Sequence, residues 1–464
     1  MITLDNKIFE IISEEASKQH VRAFVIGGFV RDFFLQRPCS DIDIVVEGSG
    51  IDLADAVARR LHSRVTIFRN FGTAMIKNRG IELEFVGARK ESYRSHSRKP
   101  IVETGTLQDD QNRRDFTINA LAFSLQKEDY GNLVDPFGGI MDLNLGLIRT
   151  PLDPDVTYSD DPLRMLRAIR FAAQLGFTIV PESIESIKRN KKRLSILSSE
   201  RIATELCKML KCDTPSIGFK LLDECELLPE IIPALSNLKG VETYEGRAHK
   251  NNFYHSLQVL DNVAATSDNL WLRWAALLHD IGKGPTKKYE EGIGWTFHGH
   301  DYIGSKMVRG IFNSLKMSQN EDLKYVQKMV GLHMRPIALV TDEVTDSAVR
   351  RLLFEAGDDI EDLMLLCKAD ITSRNDKKVE TYRQQFEHVE EKMRIIEEKD
   401  AVRNFKNPIN GDMIMEKYHI APCNTIGEIK EYVKNAILDG VIPNEYEAAY
   451  KLMEQKAAEL GLKE

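Results

Sequence analysis

Two acidic residues lie two positions apart near the start of the chain, shortly after two glycines. Residues 27–46 read GGFVRDFFLQRPCSDIDIVV, and the apolar residues around Asp41 and Asp43 predict a β-strand. Because a strand alternates its faces, both carboxylates point to the same side. Two carboxylates side by side repel each other, so a cation is expected between them. The pattern therefore predicts a divalent metal, most naturally Mg²⁺, that bridges triphosphate oxygens and an attacking hydroxyl.

The glycine pair precedes this acidic strand, at a predicted corner between an earlier strand and a short helix. Without side chains, Gly27 and Gly28 let the backbone come close to a phosphate. Arg31, one turn into the helix, adds a guanidinium group. Each motif alone is also typical of an ordinary turn, but together, in this order, they favour a nucleotide-binding corner.

A cluster of arginines follows in residues 113–120, which read RRDFTINA. The guanidinium groups of Arg113 and Arg114 suit a triphosphate. Asp115 can accept a hydrogen bond from a ribose hydroxyl, and Asn119 follows it at i+4. A surface ion-pair cluster is the alternative, but it does not explain the apolar residues that enclose these charges. The segment therefore predicts contacts with a nucleoside triphosphate.

Five blocks in residues 24–206 resemble, in order, the motifs of the class II tRNA nucleotidyltransferases, the CCA-adding enzyme family that includes bacterial poly(A) polymerases. The blocks are GGFVRD…DID, RRDFTINALAF, VDPFGGIMDL…IRT, DDPLRMLRAIRFA and SERIATEL. The resemblance implies an α+β head with a polymerase-β-like fold, followed by an all-α neck and body and a helical tail. It also implies that CCA is added to tRNA 3′ ends from CTP and ATP, with release of pyrophosphate.

The resemblance assigns roles to the residues already named. Asp41 and Asp43 match the carboxylates that bind Mg²⁺, and the block that begins at Arg113 matches the one that contacts triphosphate and ribose. A third carboxylate on a neighbouring strand assists many related transferases, and Glu84 in IELEFV is a candidate for it. An exposed strand face is the alternative explanation for Glu84.

The acidic and basic residues of DDPLR match the part of the family that selects the nucleotide. Asp161 and Arg164 are three apart, so we expect them to share one helical face. Cytosine and adenine each present an amino donor beside a ring-nitrogen acceptor, which a carboxylate and a guanidinium complement. Uracil and guanine reverse that order. The pair therefore predicts acceptance of CTP and ATP, although a surface salt bridge has the same spacing.

The family resemblance also predicts roles for two further segments, residues 88–110 and the SERIATEL block. Residues 88–110 are polar and poorly periodic, which predicts a mobile loop, and in the family a loop here helps to switch specificity from C to A. Its presence argues against an enzyme that adds only CC. In SERIATEL, Glu200, Arg201 and Glu205 match a block that we expect to form a buried charge network behind the selecting helix.

Six of the eleven histidines fall between residues 249 and 333. Their order, with HD in WAALLHDIGK, resembles the HD superfamily of metal-dependent phosphohydrolases. The resemblance implies a metal site made by His255, His279, Asp280 and Asp370, extended by His300 and His333 in members that hold two metals. Imidazole and carboxylate ligands suit Mg²⁺, Mn²⁺, Ni²⁺ or Fe, which would activate water on a phosphoester. An HD fold kept only as a scaffold is the alternative.

Composition limits the remaining possibilities. The chain has 464 residues and a net charge of −8, so overall charge does not indicate a nucleic-acid binder. The six cysteines are scattered without a CxxC pair, which favours reduced thiols in the cytoplasm and argues against a cysteine zinc site. We find no signal peptide and no apolar run of about 20 residues. The expected partners are tRNA, CTP and ATP, without membrane or DNA, and the oligomeric state stays open.

We predict four parts: a head (1–150), a helical neck (151–240), an HD domain (241–375) and a helical tail that contacts tRNA (376–464). Within the same class, a poly(A) polymerase or an enzyme that adds only CC or only A is the closest alternative. An HD phosphohydrolase with a nucleotide-sensing head is an alternative of another class, as is a non-catalytic RNA-binding protein. Intact Asp41 and Asp43 argue against both of the latter.

Overall fold

A computed structural model describes residues 6–69, 72–94, 97–240, 243–244, 247–248, 251–341, 345–372, 376–400 and 405–463. The chain forms two compact units, residues 1–233 and 234–464. No described helix is both long enough and apolar enough to cross a membrane. The finer division at residues 150, 240 and 375 stays a prediction.

The first unit begins with a mixed sheet and its helices, as predicted for the head. Its strands are β1 (Arg22–Ile26), β2 (Asp41–Glu47), β3 (Val65–Phe68), β4 (Thr73–Asn78), β5 (Ile81–Gly87), β6 (Arg89–Arg94), β7 (Ser97–Thr104), β8 (Ala122–Ser124) and β9 (Leu133–Val134). The helices are α1 (Lys7–Lys18), α2 (Gly28–Phe34), α3 (Gly50–Arg60), α4 (Leu107–Asn112) and α5 (Gly139–Leu145). Seven strands form one sheet in the order β3-β4-β5-β2-β1-β8-β9.

The acidic strand β2 lies in the middle of this sheet, and apolar residues alternate with its two aspartates. Ile42 and Ile44 are buried in a core with α1 and α3, whereas Asp41 and Asp43 point to the other face. Strand β2 pairs antiparallel with β1 and parallel with β5. The sheet therefore presents its acidic pair away from the main core of the head.

Helices make up most of the rest of the first unit. They are α6 (Pro154–Asp160), α7 (Leu163–Leu175), α8 (Pro181–Asn190), α9 (Ser199–Leu210), α10 (Ser216–Glu224) and α11 (Leu228–Ile231), with α12 (Pro233–Ser236) at the boundary of the two units. Two short parallel strands, β10 (Leu147–Ile148) and β11 (Thr178–Ile179), accompany them. Helix α7 is followed by Gly176, whose φ of 72° is left-handed.

The second unit is also mainly helical. Its helices are α13 (Asn252–Ala264), α14 (Leu270–Leu278), α15 (Lys283–Thr286), α16 (His300–Ser314), α17 (Glu321–Leu332), α18 (Met334–Thr341), α19 (Asp346–Ala356), α20 (Ile360–Asp370), α21 (Asp376–Asp400), α22 (Gly411–Tyr418), α23 (Asn424–Leu438) and α24 (Tyr446–Glu459). Two strand pairs, β12 (Thr243–Tyr244) with β13 (Arg247–Ala248) and β14 (Lys288–Glu290) with β15 (Gly294–Thr296), were not predicted. The fold class, an α+β head followed by helical domains, is confirmed.

Two local predictions differ from the structure. The segment 88–110, predicted as a loop, contains the antiparallel hairpin β6–β7 followed by α4, and residues 95–96 lie outside the described part. Asp161 does not share a helix with Arg164. It lies between α6 and α7 in an extended conformation, with φ −134° and ψ 99°, and Pro162 follows it. Because proline disfavours helical backbone in the residue before it, the helix begins only after Asp161.

Candidate functional site

Carboxylates of β2 and β5 lie side by side on the face of the head sheet that points away from its main core. Strands β2 and β5 run parallel in a register that places Asp43 beside Glu84 and Asp41 beside Glu82. Residues paired in this way point to the same face of a sheet. Burial raises the pKa of Asp43 although Arg114 opposes this, and burial together with the charge of Asp43 raises the pKa of Glu84. A cation here would relieve the cost of holding these groups ionised.

The glycine corner lies directly against these carboxylates. Gly27 has φ 82° and ψ −134°, a region that residues with a side chain rarely adopt. A Cβ atom on Gly27 would lie 2.8 Å from Nη1 of Arg114 and 3.2 Å from Oδ2 of Asp43. On Gly28, a Cβ would meet only Nη2 of Arg31, at 3.7 Å. Gly27 is therefore the position where backbone, acid and arginine meet closely.

A cavity of about 410 Å³ opens beside the acidic pair. Its polar lining consists of Asp43, Thr73, Glu84, Arg89, Arg113, Arg114, Asp115, Asp161, Arg164, Arg167 and Arg201. Arginine supplies six of these side chains, and guanidinium groups match phosphate oxygens with two parallel donors. The cavity thus has carboxylates on one side and an excess of arginines elsewhere, which suits a triphosphate with its metal.

Asp110 holds the two arginines of the predicted block. Its fully buried carboxylate accepts from Nε of Arg113 at 3.0 Å and from Nε of Arg114 at 3.2 Å. Both guanidinium groups line the cavity. Sequence analysis did not assign Asp110, although its i−3 and i−4 spacing from the arginines was the available signal.

A chain of hydrogen bonds connects α2 to α7. Nη1 of Arg31 donates to Oδ1 of Asn119 at 2.8 Å, and Nδ2 of Asn119 donates to Oδ1 of Asp115 at 3.0 Å. Nε of Arg167 donates to Oδ2 of Asp115 at 2.7 Å. Burial opposes ionisation of Asp115, but the charge of Arg167 and these hydrogen bonds outweigh it and lower its pKa to about 2. Asp115 is therefore an anionic anchor between segments.

This chain changes the interpretation of Arg31, predicted to contact phosphate. Its guanidinium is buried and also binds both oxygens of Asp32 at 2.8 Å, and it does not line the cavity. Asn119 is likewise buried and away from the lining. Both residues support the site from behind, because their polar atoms are already engaged.

Asp161 and Arg164 both reach the cavity, although by a different route from the one predicted. Oδ1 of Asp161 accepts from the backbone N–H of Leu163 at 3.2 Å, at the start of α7. Nη1 of Arg164 donates to the carbonyl of Thr157 at 3.3 Å, and its Nη2 donates to the carbonyl of Arg113. The two side chains are thus held by backbone groups, with the cavity beside them.

The expected buried network in SERIATEL is smaller than predicted. Glu205 is buried and accepts from Nε of Arg170 at 2.6 Å. Glu200 and Arg201 are exposed, and Arg201 lines the cavity instead. Helix α9 therefore contributes one buried ion pair to α7 and one arginine to the site.

The second unit brings all six predicted HD residues into one cluster. His255, His279 and Asp370 form one group of potential ligands, and Asp280, His300 and His333 form another, each with its ligand atoms within 4.8 Å of one another. Oδ2 of Asp280 lies 3.3 Å from Nε2 of His279, and its Oδ1 lies 3.5 Å from Nε2 of His300. Asp280 thus faces both groups, one oxygen to each.

The imidazole rings are held so that Nε2 faces the cluster. Nδ1 donates to a backbone carbonyl in three of them: His279 to Ala276 at 2.9 Å, His300 to Phe297 at 2.9 Å and His333 to Val330 at 2.7 Å. A carbonyl only accepts, so in the neutral rings Nε2 carries the lone pair. Nδ1 of His255 instead lies 3.1 Å from Oγ1 of Thr372. Such outer contacts are typical of histidine ligands to metals.

The cluster fits divalent metal on its own geometry. Nε2 of His300 and Nε2 of His333 face each other at 3.3 Å, which two lone pairs tolerate poorly without a cation. Nε2 of His279 is buried and has no hydrogen-bond partner among the described residues. Burial opposes a charge on His279, yet the charges of Asp280 and Asp370 raise its pKa to about 10. In the absence of metal, a proton is the cation that these acids attract.

Three protein-family models match the chain. They are the poly A polymerase head domain over residues 23–149, the probable RNA and SrmB-binding site of polymerase A over 176–239, and the HD domain over 252–375. The multifunctional CCA protein of Shewanella frigidimarina is 30% identical over 383 residues, which cover 78% of this chain and 87% of that protein. The chain belongs to the CCA-adding enzyme family.

A second relative and a solved structure are also similar to this chain. The A-adding tRNA nucleotidyltransferase of Aquifex aeolicus is 41% identical over 215 residues, which span 46% of this chain and only 26% of that protein. A solved tRNA nucleotidyltransferase complexed with a primer tRNA and an incoming ATP analog is 26% identical, with a TM-score of 0.58, and the match covers 82% of this chain and 98% of that one. Nucleotidyltransferase and HD domains generally bind divalent metals.

In this family member, the structure gathers most of the predicted site residues. Asp43, Arg113, Arg114, Asp115, Asp161 and Arg164 line one cavity with Gly27 beside it, and six HD residues form a second cluster. Asp41 is exposed at the start of β2 and is not part of the lining. Arg89 and Arg167 were not predicted, since no local pattern sets such a residue apart from a surface charge.

Proposed function

We propose that this chain adds C, C and A in turn to the 3′ end of tRNA, from CTP and ATP, in the cavity beside Asp43. The observation that carries the proposal is the parallel pairing of Asp43 with Glu84 beside a cavity lined by six arginines. The 3′-hydroxyl oxygen forms a bond to the α-phosphorus, and the bond to the pyrophosphate leaving group breaks. The family relationship supports this reaction class.

Asp41 and Asp43 would hold Mg²⁺ in this site, with Glu84 as the third carboxylate. When bound, this metal lowers the pKa of the attacking hydroxyl and neutralises charge on the phosphates. Carboxylate oxygens on one face suit a hard cation, and the raised pKa values of Asp43 and Glu84 indicate that a positive charge is needed there.

The remaining side chains of the cavity position the substrates. Arg113 and Arg114, held in place by Asp110, would contact the triphosphate. Asp115 fixes Arg167 in the cavity wall, so its role is to orient an arginine as well as to face a ribose. Catalysis of this kind rests mainly on positioning and on electrostatic stabilisation.

Asp161 and Arg164 would select the base. Backbone contacts hold each side chain at the start of α7, and both side chains line the cavity, with the carboxylate as a hydrogen-bond acceptor and the guanidinium as a donor. That donor and acceptor order matches cytosine and adenine and opposes uracil and guanine.

The specificity of addition is tested with three tRNA substrates that end before CCA, after C or after CC. With Mg²⁺ and both CTP and ATP, the shortest substrate should gain C, C and A, whereas with CTP alone it should gain only C residues. The 41% identity to an A-adding enzyme makes A-only addition the second candidate. Extension of only the substrate that ends in CC, with ATP alone, would establish that second candidate and exclude the first.

We further propose that the HD cluster binds one or two divalent ions among Mg²⁺, Mn²⁺, Ni²⁺ and Fe and hydrolyses phosphoesters. The two ligand groups, with one oxygen of Asp280 facing each of them, support a two-metal arrangement. Elemental analysis of the purified protein and of His279→Ala should show metal that the variant loses. Hydrolysis of bis(p-nitrophenyl) phosphate should fall with it, whereas nucleotide addition should not. If the wild-type protein binds no metal after incubation with each of these ions, the HD domain serves only as a scaffold and the proposal is wrong.

A further inference from the structure

A second basic cavity lies in the first unit, apart from the nucleotide cavity. Its volume is about 590 Å³, and the end of α2, the second half of α7 and the end of α9 enclose it. Its lining consists of Asp32, Arg37, Pro38, Arg170, Gln174, Lys208, Lys211, Cys212 and Asp213. None of the roles proposed above for nucleotide addition involves this cavity.

The floor of this cavity is a buried guanidinium. Arg170 is only 8% exposed, and its Nε is held by Glu205 and its Nη1 by Oε1 of Gln174 at 2.9 Å. Nη2 of Arg170 has no hydrogen-bond partner among the described residues. The Phe171 ring lies 4.1 Å from the guanidinium carbon and supports it from below. A fixed donor therefore remains for a ligand.

The lining has four basic side chains, Arg37, Arg170, Lys208 and Lys211, and two acidic ones, Asp32 and Asp213, so positive charge is in excess. Arg37 donates only to the carbonyl of Gln174, at 3.3 Å, and Lys211 has no partner among the described residues. Asp32 is already bound by Arg31 through both of its oxygens. Lys208 lies 3.6 Å from a Glu205 oxygen and is half exposed. The ligand chemistry that fits is an anion with several oxygen acceptors, which a phosphate group provides.

The lining also indicates which phosphate compound would bind. The described residues that line the cavity include no aromatic ring on which a base could stack, and only Pro38 and Cys212 are apolar. A free nucleotide would leave its base without contacts. A backbone phosphate of a longer strand, whose bases lie elsewhere, needs only the charges that are present.

One side of α7 connects the two cavities. Arg164 and Arg167 line the nucleotide cavity, whereas Arg170 and Gln174 line the second one. Spacings of three and four keep these residues on one stripe, and the helix rise places Arg170 about 9 Å beyond Arg164 along the axis. Phosphates of a stacked strand are about 3.4 Å apart along the axis, so this distance corresponds to about three nucleotides.

We propose that this second cavity binds a backbone phosphate of the tRNA strand whose 3′ end lies in the nucleotide cavity, a few nucleotides from that end. The inference rests on the proposed function, since it takes tRNA as the substrate. Arg170 provides the oriented donor, and Arg37 and Lys211 provide exposed positive charge at the rim. The cavity would thus hold the primer strand in register with α7.

The test compares the double variant Arg37→Gln/Lys211→Gln with a control of equal charge change, Arg64→Gln/Arg79→Gln. The control arginines are exposed, have no partner among the described residues and line neither cavity. Binding of tRNA without nucleotides is measured from low to high salt. The plot of log K against log salt should be shallower in the cavity variant by about 0.7–0.9 for each phosphate that the variant no longer neutralises. That change corresponds to about a fivefold weaker affinity at ~0.15 M salt.

The outcomes separate this inference from the proposed function. With saturating tRNA, KM for CTP and ATP should equal that of the control, and so should Tm. If the cavity variant shows the same salt dependence of tRNA binding as the control, the inference is overturned. It is also overturned if the cavity variant loses binding of inorganic pyrophosphate but still binds tRNA like the wild type. If the wild-type protein extends no tRNA, the proposed function fails, and the binding measurement still reports on the cavity.

Discussion

Replacing Glu84 with glutamine should stabilise the metal-free protein and yet slow the reaction. Glu84 lies beside Asp43 on neighbouring parallel strands, which are about 4.8 Å apart. At ~5 Å, two negative charges repel by about 1–3 kcal/mol for dielectric constants of roughly 80 to 20. Glu84 is only partly buried, so solvent screening favours the lower figure, about 1 kcal/mol. The variant removes this repulsion.

Thermal unfolding and nucleotide addition together measure the effect. Without Mg²⁺, Glu84→Gln should raise Tm by about 2–4 °C, the shift that about 1 kcal/mol produces in a unit of this size. Added Mg²⁺ should stabilise the variant less than the wild type, because one proposed ligand is missing. The rate of addition should fall by about 10–100-fold, as for losses around metal sites.

Glu82→Gln is the matched control. Glu82 lies on the same face, beside Asp41, but it is 39% exposed and forms an ion pair with Lys77. Loss of an exposed pair changes stability by less than about 1 kcal/mol, and the addition rate should stay near that of the wild type. If Glu84→Gln and Glu82→Gln give the same Tm, the same response to Mg²⁺ and the same rate, the assignment of a third carboxylate is wrong.

Three further predictions concern residues that support the sites. Thr372→Val should weaken metal binding by about 10–100-fold, because Nδ1 of His255 loses its partner, and Thr372→Ser should restore it in metal titrations. Asp115, with its pKa lowered to about 2, should stabilise the fold by about 2 kcal/mol at neutral pH. A carboxyl group with a lowered pKa loses its contribution to the stability of the fold as pH falls from about 4 to 2. The denaturant midpoints of Asp115→Asn and of the wild type should therefore differ at pH 7 and converge near pH 2. A difference that stays constant with pH would contradict this prediction. Gly27→Ala should destabilise the protein by about 1–3 kcal/mol in denaturant unfolding, because of its φ of 82°, while Gly28→Ala should not; equal losses would refute the close-contact argument.

Much of the head could be predicted because its signals are local. Alternation along β2 places Asp41 and Asp43 on one face whatever the rest of the chain does, and Gly27 marks a corner that only glycine adopts easily. The HD residues were predicted differently, from the resemblance of their order to the HD superfamily. They do form one cluster in the structure.

The partners of buried charges could not be predicted. Arg31 was expected to face phosphate, yet it donates to Asn119, which is 88 positions away. Asp161 was expected on a helix with Arg164. Because Pro162 follows it, Asp161 instead lies in an extended conformation between α6 and α7. The partner of a buried charge depends on which groups the packed fold brings within hydrogen-bond distance. A long side chain can reach several positions, and only the tertiary structure determines which of them it occupies.

By itself, the sequence determined the change from an α+β head to helical domains, the faces of β2 and the residue types able to hold metal and phosphate. Only the tertiary structure decided that Glu84 lies beside Asp43, that Asp110 holds the two arginines and that Asp280 turns one oxygen to each half of the histidine cluster. The physical reason is range. Backbone periodicity relates residues a few positions apart, whereas strand register and helix packing are set by the burial of the whole core.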